Sequence, residues 1–162
     1  MKHFSSILFC SLLIGVSISS CVKEKNFPVE PKIEFKEYLK YGVDSADCTI
    51  KFKDGDGDIG VLPGDTVPDL KMKYLYKGVD NLFHPYDETV GTSQFDTLFY
   101  TYRVPNLTPD GQFKALDGEI KIKLRASPIY NPLHHVVKFD IQLKDRAGHL
   151  SNIVSTNEIT LP

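Results

Sequence analysis

Apolar and polar residues alternate with a period of two along most of this chain. Ile33 and Phe35 alternate with Lys32, Glu34 and Lys36, and Cys48, Ile50 and Phe52 with Thr49, Lys51 and Lys53. Successive side chains of a strand point to opposite faces, so each such run predicts a strand with one wet and one buried face. Leu70, Met72, Tyr74 and Tyr76 continue the pattern against Lys71, Lys73 and Lys77, and residues 95–104 form a denser β-branched and aromatic run. The clearest strand is 119–126, with Ile120, Ile122, Leu124 and Ala126 facing one way and Glu119, Lys121, Lys123 and Arg125 the other. Val137, Phe139, Ile141 and Leu143 mark another strand, and residues 153–161 a last one.

Turn chemistry separates these runs, as at Tyr41-Gly42, Lys77-Gly78, Pro109-Asp110-Gly111, Asp117-Gly118 and Ala147-Gly148. No stretch longer than a few residues has helical periodicity. About seven or eight half-buried strands in one domain predict an all-β protein, an antiparallel two-sheet sandwich of immunoglobulin-like character. A small β-barrel produces the same signal and stands as the alternative.

The first residues break the pattern. Lys2 and His3 precede a run, 4–18, that is apolar or small throughout and too short for a membrane span, which needs roughly 20 residues. It closes on Ile18-Ser19-Ser20-Cys21, which resembles the lipobox of bacterial lipoproteins. That resemblance implies cleavage before Cys21, acylation of its thiol and attachment to a membrane through the lipid. The expected organisation is a signal peptide over 1–20, a lipidated tether over 21–31 containing Pro28 and Pro31, and a β-sandwich domain over 32–162. Cys48 is then the only free thiol, and its place in an alternating run predicts a core position.

Composition narrows the partners. Losing residues 1–20 removes one positive charge, Lys2, from the 19 basic residues, leaving 18 against 21 acidic ones, a net charge of −3. Neither that balance nor the scattered lysines fit a nucleic-acid partner. About 140 residues are enough for one domain with a sizeable core.

One segment concentrates candidate chemistry: Asp54-Gly55-Asp56-Gly57-Asp58-Ile59-Gly60, directly after the strand ending at Lys53. Aspartates two apart on extended backbone point the same way, and Gly55 and Gly57 let the chain curl around a point. Three such carboxylates repel one another unless a cation lies among them, and hard oxygen donors select calcium. Numbered as an EF-hand loop, Asp54, Asp56 and Asp58 take positions one, three and five, the Gly60 carbonyl seven and Asp65 twelve. Ile59 stands where that motif requires glycine, Asp65 replaces its glutamate, and the flanks read as strands, so no helix–loop–helix is expected. Asp69 and Asp145 are candidate outside ligands. A solvated Asp-Gly hairpin without an ion is the competing reading.

Asp145-Arg146-Ala147-Gly148-His149-Leu150-Ser151-Asn152 resembles the Asp-x-Ala-Gly-Asn-x-Ser turn of bacterial immunoglobulin-like extracellular domains, with His149 at the usual asparagine. Together with the lipobox, the aspartate loop and Val104-Pro105-Asn106-Leu107, it makes the chain similar to outer-membrane lipoproteins of the Bacteroidota. The resemblance implies an outer-membrane destination and brings no activity with it. Asp44-Ser45-Ala46, Asp65-Thr66-Val67 and Asp96-Thr97-Leu98 also look like the O-glycan acceptor of that phylum, which makes Ser45, Thr66 and Thr97 candidate modification sites.

Catalytic signatures are missing from the sequence: there is no Gly-x-Ser-x-Gly, His-Glu-x-x-His or phosphate loop. Adjacent His134 and His135 would face opposite ways on a strand and make a poor metal pair. The expected function is therefore a non-catalytic binding or adhesion module for a glycan or envelope protein, with Phe83, Tyr86 and Tyr130 as contact residues near the aspartate loop. The alternative is a structural accessory subunit of an outer-membrane complex, docking through an apolar patch at Phe99, Tyr100 and Tyr102.

Overall fold

A computed structural model describes residues 26–42, 45–86, 99–125 and 134–161. The signal peptide, Cys21, Thr97 and Tyr130 lie outside them. Among the described residues there is no helix, and therefore none long and apolar enough to cross a membrane.

The described residues form nine strands in two antiparallel sheets: β1 (Lys32–Tyr41), β2 (Ser45–Asp54), β3 (Leu70–Lys77), β4 (Phe83–Pro85), β5 (Phe99–Tyr102), β6 (Leu116–Leu124), β7 (Val136–Leu143), β8 (Val154–Ser155) and β9 (Ile159–Thr160). One sheet has the order β1-β2-β6. The other is centred on β3 and β7, with β4 and β5 sharing the outer edge of β3, and β8 and β9 the outer edge of β7. This order, with strands two and six paired in one sheet and three and seven in the other, is an immunoglobulin-like sandwich. Among the described residues no strand pair closes the two sheets into a barrel, so that alternative is set aside.

The alternation seen in the sequence becomes the core. Ile33, Cys48, Ile50, Phe52, Ile122 and Leu124 from the first sheet pack on Leu70, Met72, Tyr74, Val137, Phe139, Ile141 and Leu143 from the second. Register follows from which residues must be buried, because a slip of one would turn every one of these side chains to water. Cys48 opposes Ile122 and Ile50 opposes Ile120 across β2 and β6, while Met72 opposes Ile141 across β3 and β7. Burial pushes the Cys48 thiol up to about 12, leaving almost no thiolate at neutral pH. Cys48 is thus expected to resist thiol reagents in the native protein and react at once in denaturant; rapid labelling of the native chain would contradict this core.

Three expectations need correction. Residues 153–161 do not make one strand: Ile153 is exposed, and the run breaks between β8 and β9. At the break the Thr156 hydroxyl accepts the Phe139 N–H at 3.0 Å, so a side chain replaces a ladder partner. The proposed patch at Phe99, Tyr100 and Tyr102 is reduced to Phe99, since Tyr100 and Tyr102 turn inward on the alternate face and Tyr100 meets the Phe139 ring edge-on. Phe83 and Tyr86 do not border the aspartate loop. β4 pairs with the 75–77 end of β3, whereas the loop adjoins the Leu143 end of β7, which pairs with Leu70.

Candidate metal centre

β2 delivers the aspartate loop to one end of the sandwich. Asp54 is its last residue, fully buried opposite Leu116, and the chain curls back at once, so that the Asp54 Oδ2 accepts the Asp58 N–H at 3.0 Å. This wrap brings ligand oxygens of Asp54, Asp56 and Asp58 within 4.8 Å of one another. Oxygens bound to a common calcium at 2.3–2.6 Å are separated by at most about 5 Å, so one ion can serve all three. One Oδ1 of each aspartate is inaccessible to water and has no hydrogen-bond partner. Buried acceptors left in that condition are costly, and a solvated hairpin would not create them. The donor set, three carboxylate oxygens and no nitrogen or sulfur, fits a hard divalent cation.

Removal from water pushes the Asp54 carboxyl from 3.8 up to about 6; the Asp58 N–H pulls it partly back and the charges of Asp56 and Asp58 add to the rise. Asp58 is raised too, chiefly by burial. With no cation held, the folded protein keeps on Asp54 a proton that the unfolded chain has already released. Stability in a chelator should therefore fall as pH rises from about 4 to about 6. Urea midpoints across that window check the sign, and Asp54→Asn should flatten the slope.

Two further loops hold the aspartates in place. Asp58 Oδ2 accepts the Ala147 N–H at 2.8 Å, and its carbonyl accepts the Arg146 N–H at 3.3 Å. The Arg146 guanidinium donates to the carbonyls of Ile59 and Gly60 and to the side chains of Asn106 and Thr108. The Leu107 N–H reaches the Ile59 carbonyl and the Val61 N–H that of Val104. The aspartate loop, the 104–108 segment and the 145–149 turn are therefore one hydrogen-bonded unit. Arg146 is the residue sequence reasoning missed, because its partners lie about 40 and 86 positions away and leave no local signal.

The remaining predicted ligands are placed elsewhere. Asp65 is exposed and closes its own turn, accepting the Leu62 N–H at 3.3 Å, so it does not supply the twelfth position. The Gly60 carbonyl already faces the Arg146 guanidinium at 2.8 Å, a poor neighbour for a second cation. Asp69 accepts the Val104 N–H at 2.8 Å, and Asp145 gives both oxygens to His149, whose imidazole is held above its usual range by that hydrogen bond. The linear EF-hand correspondence therefore ends at Asp58, because Gly60 and Asp65 are engaged by Arg146 and Leu62. Ser45 and Thr66 are exposed.

The opposite end holds a different surface. A cleft of about 490 Å³ is lined by Tyr76, Lys77, Asp80, His84 and His134. His134, buried as one of the predicted inward–outward pair, stacks on Tyr76 at 3.9 Å, and His84 pairs with Asp80 at 2.9 Å. Phe83 is partly covered by the Lys138 ammonium, 4.6 Å from its ring centre. No protein-family model, curated protein or solved structure matches the chain.

Proposed function

We propose that this chain is a lipid-anchored outer-membrane protein whose sandwich is a non-catalytic binding module, clamped at one end by a calcium ion on Asp54, Asp56 and Asp58. The observation that carries the metal reading is the convergence of three carboxylates, one oxygen of each lying within 4.8 Å of the others, in a loop where each aspartate also keeps a buried, unpartnered Oδ1. The lipobox ending at Cys21 supports the anchor. Calcium here neutralises the loop and holds its stitched neighbours in one arrangement; it takes no part in a reaction. The ligand surface, for a glycan or an envelope protein, is the cleft beside Tyr76 and His134, where an aromatic wall stands next to the polar Asp80–His84 pair.

Isothermal titration at neutral pH should give one calcium per chain, and mass spectrometry an acylated amino-terminal Cys21. Glycan-array binding that Tyr76→Ala removes would establish the module. A stoichiometric partner in solubilised outer membrane, with no glycan bound, would instead favour the accessory subunit. Absence of any heat of calcium binding overturns the clamp.

A further inference from the structure

We propose that the aspartate-loop end of the sandwich is the face turned toward the membrane, with the exposed side chains of Leu62, Phe113 and Leu150 on its loops seated among lipid headgroups. This rests on acylation of Cys21.

The direction of the strands decides which end that is. Lys32, the first residue of β1, pairs with Lys53 beside the end of β2, so the chain enters the domain next to the aspartate loop. The entering segment is fastened there. The Gly55 α-carbon faces the Phe27 and Pro28 carbonyls so closely that a β-carbon would lie 2.4 Å from the first, and Pro31 is buried. Asn152, from the loop after β7, grips the Ile33 backbone on both sides, accepting its N–H and donating to its carbonyl at 2.9 Å each.

Covalent reach then limits the orientation. Five residue steps separate Cys21 from Asn26, at most about 18 Å even when fully extended. A ten-residue strand such as β1 is about 33 Å long. The far end of the sandwich, with the 78–82 turn and the cleft beside Tyr76, lies beyond that reach while residues 26–31 stay docked. The near end must stay within it.

The surface that this places at the membrane has the matching chemistry. Leu62, Phe113 and Leu150 are 48%, 59% and 56% exposed, one on each of the three loops that leave this end. Lys53, Arg103 and Lys144 are exposed at the same end, interspersed with exposed Asp65, Asp110 and Asp117, so the contact rests on the apolar side chains with the lysines and arginine available to headgroup phosphates. Large apolar side chains exposed together with lysine and arginine suit an interfacial contact, and no strand or loop of the described residues covers them.

The test uses the full acylated chain in vesicles of phosphatidylethanolamine and phosphatidylglycerol carrying a headgroup-chelated nickel lipid. Nitroxides are placed through Leu62→Cys, Phe113→Cys or, on the far turn, Leu82→Cys; all three side chains are exposed, and Cys48 is buried away from the reagent. Relaxation by nickel is expected to be several-fold stronger at 62 and 113 than at 82. Equal or stronger relaxation at 82, in a chain shown by mass spectrometry to carry acyl groups on Cys21, overturns the orientation alone. An unmodified Cys21 overturns the anchor, and the orientation falls with it.

Discussion

Calcium is expected to raise the melting temperature of this chain by about 10 °C at a hundredfold excess over its dissociation constant, and Asp56→Asn with Asp58→Asn to erase the rise. Ligand that binds only the folded state at that excess stabilises it by about 2.7 kcal/mol, and a domain of this size shifts by roughly 4 °C per kcal/mol. The gain depends on charge. Asp54, Asp56 and Asp58 present mutually repelling oxygens within 4.8 Å, and two amides in place of two carboxylates leave too little negative charge to draw the ion out of water. The same substitution relieves the repulsion, so in chelator the double variant should melt above the parent. Scanning calorimetry with calcium and with chelator reads both effects. A parent that melts at one temperature in the two conditions rules the ion out.

Gly60→Ala should cost about 3 kcal/mol or more, against about 1–2 kcal/mol for Gly148→Ala. Both glycines have positive φ, +91° and +98°, so both variants carry the strain of an L residue in left-handed backbone. They differ in what surrounds them. A β-carbon on Gly60 would lie 2.1 Å from the Pro105 carbonyl oxygen, while one on Gly148 meets nothing within 4 Å. Relief by backbone movement is blocked, because the Val61 and Leu107 N–H groups and the Arg146 guanidinium tie the two segments on either side of the contact. Urea midpoints of the two variants measure the difference. Equal losses would mean that the aspartate loop and the 104–108 segment are not held as one unit.

The resemblance to a calcium loop illustrates where local reading stops. Asp54, Asp56 and Asp58 were legible because period-two geometry on a tight curl is a property of neighbouring residues alone. Extending the count to Gly60 and Asp65 assumed that the chain keeps winding around the same point. It does not, since Pro63 and Gly64 start a separate turn that Asp65 closes on the Leu62 N–H. The Asp145 turn was legible as a motif, and yet its role here is carried by Arg146, the variable position within it, through bonds to two other segments.

What the sequence determined by itself is the fold class, the core and the cluster of three aspartates. Each is written in spacing: alternation assigns a side chain to water or to the interior, and burial of the interior set selects a single register between β2 and β6 and between β3 and β7. Which ends of the strands lie together was decided only by tertiary structure. Loops distant in sequence meet because the sheets stack, and that brought Arg146 to Gly60, placed the entering chain beside the aspartates, and carried Tyr86 and Phe83 to the opposite end. No local rule encodes those meetings, since they depend on the direction in which each strand runs through the packed sandwich.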